Sequence, residues 1–319
     1  MRPCTRMPDA NAGSEDCEMG IRIFSGTIAA IALICALLAP PFVILAVILC
    51  ATLLAVLEFR QAVQSVKRTV DPFVGVLMTV MLIFNSRFGN PAVIATLSDD
   101  ISRWPASVSG LAQKWLEAAA FVFSSGSVRV MAFLCIVWLF GRLIFQNDRF
   151  HLDDLAMTVT GILYIPFLMS FIMPVRGMAY GGILIWCVMI GAIVTDTMAY
   201  FTGVTWGKHK LLPLISPKKT VEGAIGGVVG CTVIMTVMGL LVAPVVQADI
   251  SWVHFPILGI LCGIVSQVGD WSASAVKRSA GIKDFGKLIP GHGGMLDRID
   301  SILFVGPVVY LYFRIMLGL

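Results

Sequence analysis

Apolar residues run through this chain in long, nearly uninterrupted blocks, and the polar residues gather between them. Runs of roughly 17–25 apolar residues predict membrane-spanning helices. Nine are predicted: Ile21–Ala39, Phe42–Glu58, Pro72–Phe84, Val130–Phe145, Leu155–Pro174, Gly181–Tyr200, Val221–Val246, Phe255–Trp271 and Ser301–Gly318. The expected fold is therefore all-α, a polytopic integral membrane protein. The third run is short, which predicts a tilted or re-entrant element. Leu111–Phe123 is expected to be an interfacial helix or a tenth element. Around it, the polar stretch from Asn85 to Arg129 carries Trp104 and Trp115, residues that anchor segments at a membrane surface.

Composition agrees with the pattern. The 319 residues are 58% hydrophobic and 13% charged, where a soluble domain carries about 25% charge. Lys and Arg distribute unevenly: with nine spans, 17 of the 23 fall on the face shared by the N-terminus and the even-numbered loops. The positive-inside rule puts that face in the cytoplasm. The first twenty residues hold Asp9, Glu15, Asp16 and Glu18. That is unlike a secretory leader, so the first run is expected to be a retained span. The net charge of +4 reflects the basic face, and no nucleic-acid partner is expected. The eight Cys residues contain no CxxC pair and read as small apolar side chains. Residues 1–174 read as a transmembrane scaffold, and 175–319 as a catalytic transmembrane region.

Three polar features break the apolar pattern of the second half. The first is Asp196, an acid inside a span, which is costly and points to function. On a helix it shares a face with Tyr200 and Gly203. The second is the loop Gly207-Lys208-His209-Lys210, continuing to Ser216-Pro217-Lys218-Lys219-Thr220. Thr220 is placed to cap the seventh span with Glu222 in its first turn, and a helix N-terminus beside lysines suits phosphate oxygens.

The third feature is Ser274–Ser301, SAVKRSAGIKDFGKLIPGHGGMLDRIDS. Extending the eighth span as a helix to Arg278 aligns Gln267, Asp270, Ser274 and Lys277 or Arg278 on one stripe. Asp297 and Asp300, three apart at the start of the ninth span, face the same way. Glycines of the turn between, Gly293 and Gly294 among them, let backbone N–H groups approach an anion. Two converging carboxylates suit Mg²⁺, which takes few protein oxygens and leaves positions for water and phosphate. Lys and Arg would neutralise the remaining phosphate charge. This is equipment for phosphoryl or nucleotidyl transfer.

The pattern Ser274-x-x-Lys277-Arg278, Lys283-Asp284-x-Gly286 and Pro290-x-His292-Gly293-Gly294-x-x-Asp297-Arg298-x-Asp300 resembles the signature of phosphatidate cytidylyltransferases (CDP-diacylglycerol synthases). Asp196, Ala199-Tyr200-Phe201, Gly207–Leu211, Ser216-Pro217-x-Lys219-Thr220 and Gln267-x-Gly269-Asp270 resemble the same family. The likeness covers about Ala192 to Ser301. It implies that CTP and phosphatidic acid give CDP-diacylglycerol and pyrophosphate, at the cytoplasmic side of a bacterial inner membrane. It also implies Mg²⁺ held by Asp270 and Asp297, with a monovalent cation such as K⁺ beside it. Lys219, Lys277, Arg278 and Lys283 would meet phosphates, with Asp284, His292 and Asp300 in supporting roles. Asp196, Tyr200, Lys208, Ser216, Thr220, Gln267, Ser274, Gly293, Gly294 and Arg298 are the expected substrate-binding set. CTP, phosphatidic acid and membrane lipid are the expected partners, and a homodimer is left open. One position departs: many relatives carry an acid where this chain has Ala273. The alternatives are a cytidylyltransferase for another lipid phosphate, and a non-catalytic scaffold or ion transporter with Asp196 and Asp270 on an ion path.

Overall fold

The fold is described from a computed structural model, over residues 27, 31, 33–245, 250–286, 288, 293–316 and 318. Among the described residues, seven helical segments are long and apolar enough to cross a membrane. They are α1 (Pro41–Ser65), α5 (Ser125–Phe145), the broken span Leu152–Gly177, α8 (Gly181–Trp206), α9 (Val221–Val242), α10 (His254–Ser279) and α11 (Leu296–Met316). The protein is an all-α integral membrane protein. Most of the first predicted span lies outside the described residues, although residues 33–38 are helical.

The third predicted span is one arm of a bent pair. Helices α2 (Pro72–Phe88) and α3 (Pro91–Ser102) meet at 70°. The break has a local cause: Asn90 accepts from the Ala92 N–H and Pro91 opens the new helix, so the first helix stops and a second starts. Helix α4 (Ala106–Val122) follows, and Trp115 on it is 70% exposed. A helix is thus present where an interfacial helix or a tenth element was expected.

Most helix starts are written into the sequence. Pro41, Pro72 and Pro91 occupy first positions, where the missing N–H costs nothing. Asp71 caps α2 through the Val74 N–H (3.0 Å). Its other oxygen takes Arg142 and the Trp138 indole of α5. Burial pushes the Asp71 carboxyl up, but the Val74 N–H, Arg142 and Trp138 outweigh it and hold it below the usual carboxylate range.

The broken span consists of α6 (Leu152–Ile162), a π-helical turn (Leu163–Phe167) and α7 (Ile172–Gly177). Pro166 sits inside the wide turn, where its absent N–H removes one helical hydrogen bond. The turn carries Tyr164 toward the ring of Phe304 on α11 and that of Phe59 on α1.

Helices α8, α9, α10 and α11 pack together and form the half that holds the polar features. The approach of α8 to α9 is close because glycines line it: a Cβ on Gly227 would lie 3.0 Å from both the Thr195 carbonyl oxygen and the Ala199 side chain. Small residues of this kind let membrane helices touch backbone to backbone. Between α8 and α9 the expected basic loop is a small antiparallel hairpin, β1 (Lys210–Leu212) with β2 (Ser216–Thr220), pairing Lys210 with Thr220 and Leu212 with Ser216. The buried core runs without interruption from α1 residues such as Phe59 to α11 residues such as Leu296 and Phe313.

Candidate active site

The last turns of α8, the hairpin, the first turn of α9 and the middle of α10 enclose a cavity of about 590 Å³. Asp196, Tyr200 and Gly203 line it together, as the helical spacing predicts. Ser216, Lys219 and Thr220 enter from β2, and Gln267 and Asp270 from α10. Thr220 caps α9 as expected, its hydroxyl accepting from the Gly223 N–H (3.1 Å). Glu222, in the first turn of α9, holds the strand entry by accepting from the Lys208 N–H (3.0 Å) and the His209 ring (2.6 Å).

Lys219 donates directly to the Asp270 carboxylate. The pair is about one-quarter to one-third exposed and sits on the cavity wall beside Trp271. Lys210 and Lys218 add charge to the same wall. Gln267 is buried and fixed by two donated bonds, to the carbonyls of Ala224 and Gly263 (3.0 Å each). It therefore ties α9 to α10 at the cavity floor.

A second cluster gathers around Asp297 in the first turn of α11. One Asp297 oxygen accepts from Lys277 Nζ (2.7 Å). The other accepts from the backbone N–H groups of Phe285 (2.9 Å) and Gly294 (3.0 Å). A carboxylate has about four acceptor positions, so these three donors leave room for one more partner. Asp300 is buried and accepts from the Ser301 N–H (2.8 Å), while the Ser301 hydroxyl donates to Asp196 (3.0 Å). The acid of α8 is thus linked to the start of α11.

Tyr164 feels the charge of both clusters. Its hydroxyl is buried without a hydrogen-bond partner among the described residues, within electrostatic range of Asp300, Asp270 and Asp297. Asp270 lines the cavity, and Asp297 lies outside its lining. Each carboxylate is balanced by a lysine. Among the described residues no three His, Cys, Asp or Glu side chains form a metal cage. A two-carboxylate set of this kind fits Mg²⁺, which needs only one or two protein carboxylates beside phosphate oxygens and water.

Other expected residues stand apart from the cavity. Ser274 is buried on α10. Arg278 is exposed and its Nε donates to the Ile215 carbonyl (3.1 Å), so it braces the hairpin. Lys208, Lys283, Asp284 and Arg298 are exposed, and Asp284 lies next to Gly293, which takes φ +81°. His292 lies outside the described residues. Ala273 is completely buried, so an acid at this position would enter the packed core of this chain.

One residue of the site comes from the half expected to be scaffold. Glu58 of α1, itself buried, accepts from the Met295 N–H and the Leu296 N–H (2.8 Å each). It binds the start of α11 from a distant helix and sets the turn from which Asp297 projects. A Cβ on Gly286 or Gly294 would come within 2.5 Å of its carboxylate, so both glycines make room for it. The one sequence signal was an acid at the end of an apolar run, which the span boundary at Glu58 absorbed.

The model of the cytidylyltransferase family matches residues 20–316. Phosphatidate cytidylyltransferases are among the similar proteins. That of Thermotoga maritima is 39% identical over 158 residues, 49% of this chain and 58% of its own length. That of Bacillus subtilis is 36% identical over 190 residues, 59% of this chain and 68% of its own length. That of Brucella abortus is 48% identical over 118 residues, 37% of this chain and 42% of its own length. The matched stretch thus spans about two-fifths to two-thirds of these relatives.

Proposed function

This chain belongs to the cytidylyltransferase family, and on that footing we propose that it transfers the cytidylyl group of CTP to phosphatidic acid. An oxygen of the phosphatidate phosphate attacks the α-phosphorus of CTP. The bond from that phosphorus to the bridging oxygen of the β-phosphate breaks, and pyrophosphate leaves with the electron pair. A phosphate monoester is already anionic near neutral pH, so no strong general base is needed.

The observation that carries this reading is the Lys219–Asp270 pair on a cavity walled by Lys210, Lys218 and the cap of α9. Phosphate oxygens entering there would meet lysines and a helix N-terminus at once. Lys219 would turn from Asp270 to a phosphate, and Lys277 would do the same from Asp297. Asp270 and Asp297 would hold Mg²⁺, with a monovalent cation beside it. When bound, the divalent ion supplies charge neutralisation on the triphosphate and the departing pyrophosphate. Gln267 and the Ser301–Asp196 bond keep α8, α9, α10 and α11 in register around the reacting groups. Tyr200 and Val204, both well exposed, line the side of the cavity on α8. The acyl chains of the lipid substrate can pass there and remain in the bilayer. The cavity would face the cytoplasm, where CTP is found and where the lysine-rich loops fall by the positive-inside rule.

Purified protein in detergent, given CTP, Mg²⁺ and either phosphatidic acid or a prenyl phosphate, tests the assignment. CDP-diacylglycerol is the expected product. Formation of a CDP-prenyl product alone would move the chain to another lipid acceptor.

A further inference from the structure

The far end of α8 carries a second concentration of positive charge, remote from the cavity. Arg176 lies at the end of α7, and Arg87 near the end of α2. Both are half-buried, on helices α2 and α7 that pack against each other, and the charge of Arg176 opposes that of Arg87. Among the described residues neither forms an ion pair, and Arg176 Nε is buried without a hydrogen-bond partner. A Cβ on Gly182 would lie 3.3 Å from Arg176 Nη1, so this guanidinium rests on the first turn of α8. That turn contains no acidic residue and is the positive end of a 26-residue helix. Two half-buried arginines whose charges oppose each other are unfavourable without an anion. From Gly182 to Asp196 is 14 residues along α8, about 20 Å at the helical rise. The pair therefore sits toward the opposite end of α8 from the cavity.

We infer that Arg87 and Arg176 form a binding site for the phosphate of an anionic phospholipid headgroup in the leaflet opposite the catalytic cavity. Guanidinium groups suit this ligand because each presents forked N–H donors to phosphate oxygens. A lipid is the ligand we favour over a free anion, because both arginines belong to helical segments apolar enough for a bilayer, in which headgroup phosphates are held at high local density. Such a lipid would relieve the repulsion between the arginines and tie α2 to the α7–α8 corner. The site is independent of the reaction proposed above.

The test uses full-length protein in phosphatidylcholine nanodiscs, with phosphatidylglycerol as the probe. Phosphatidylglycerol is a phosphodiester and no acceptor for cytidylyl transfer, so catalysis does not enter the readout. Wild-type protein should unfold at a higher temperature as phosphatidylglycerol is added, and native mass spectrometry should detect the bound lipid. Arg87→Gln/Arg176→Gln should lose the thermal shift and bind at least about tenfold more weakly, as expected on losing a charge-assisted hydrogen bond. Arg87→Lys/Arg176→Lys keeps the charge and should keep most of the shift, which separates lipid binding from a folding defect. Equal lipid binding by wild type and the glutamine variant would overturn the site. An equal thermal shift from inorganic phosphate alone would overturn the lipid as its ligand.

Discussion

At Asp297 three donors meet one carboxylate, and each comes from a different place: the Lys277 ammonium of α10, the Phe285 N–H of the loop and the Gly294 N–H of the turn. Asp297→Asn removes the charge that Lys277 balances and presents an amide N–H where an acceptor is needed. Turnover should fall at least about a hundredfold, at the upper end for losing a group that tunes a charged centre, while membrane insertion is unchanged. Product formation by the purified variant measures the first, and membrane fractionation the second. Glu58→Gln is a different kind of change. A glutamine offers one carbonyl oxygen to two N–H groups, so Met295 or Leu296 loses its partner. The expected result is a stability loss of about 1–3 kcal/mol and a clear drop in kcat, read by thermal unfolding and by turnover in detergent. Wild-type kcat in this variant would leave Glu58 with a packing role only. Asp270, Asp196 and Gln267 were legible from spacing, because each lies on a helix where periodicity fixes direction; Lys219, on a strand, was expected only from the family resemblance. Glu58 was not. It reaches its partners across 237 residues of sequence, and no periodicity links α1 to the turn before α11.

Among the elements, the spans were legible wherever a single apolar run made a single helix, as in α5, α8, α9 and α10. The exceptions have local causes. The Gly89–Asn90–Pro91 junction bends α2 away from α3, and Pro166 widens the span Leu152–Gly177 into a π turn. Hydropathy averages over such breaks and does not register them. The hairpin of β1 and β2 was also hidden: its strands are three and five residues long and rich in lysine, so composition suggested only a loop. Its role follows from its contacts. Arg278 grips the Ile215 carbonyl and Glu222 holds the Lys208 N–H, so Lys219 is delivered to Asp270 on a braced strand. The α8–α9 seam beneath it depends on small residues. Gly227→Leu should force the helices apart, because its side chain would meet the Thr195 carbonyl and Ala199 at once. A cost of about 1–3 kcal/mol is expected from overpacking, together with loss of turnover as the cavity walls separate. Thermal unfolding and an activity assay check both; an unchanged melting temperature would mean that the seam has slack.

For the whole molecule, division of labour between the halves is less sharp than composition suggests. Residues 175–319 supply the cavity, but α1 binds the start of α11 through Glu58, and the π turn carries Tyr164, which feels the charge of both acidic clusters. A site built where four membrane helices converge has carboxylates in excess of its two bridging lysines, a balance that a divalent cation can restore. Chelating Mg²⁺ should therefore stop turnover, and adding it back should restore activity without refolding. Synthesis that continues in excess chelator would count against the role given to Asp270 and Asp297.

The fate of the two ends of the nucleotide triphosphate tests the central claim most directly. Purified protein is incubated with phosphatidic acid, Mg²⁺ and CTP labelled at either the α- or the γ-phosphorus, and the lipid is extracted. Attack at the α-phosphorus predicts that the α label moves into the lipid phase, while the γ label stays in water as pyrophosphate. A γ label in the lipid, or no label there from either nucleotide, would contradict cytidylyl transfer at this cavity.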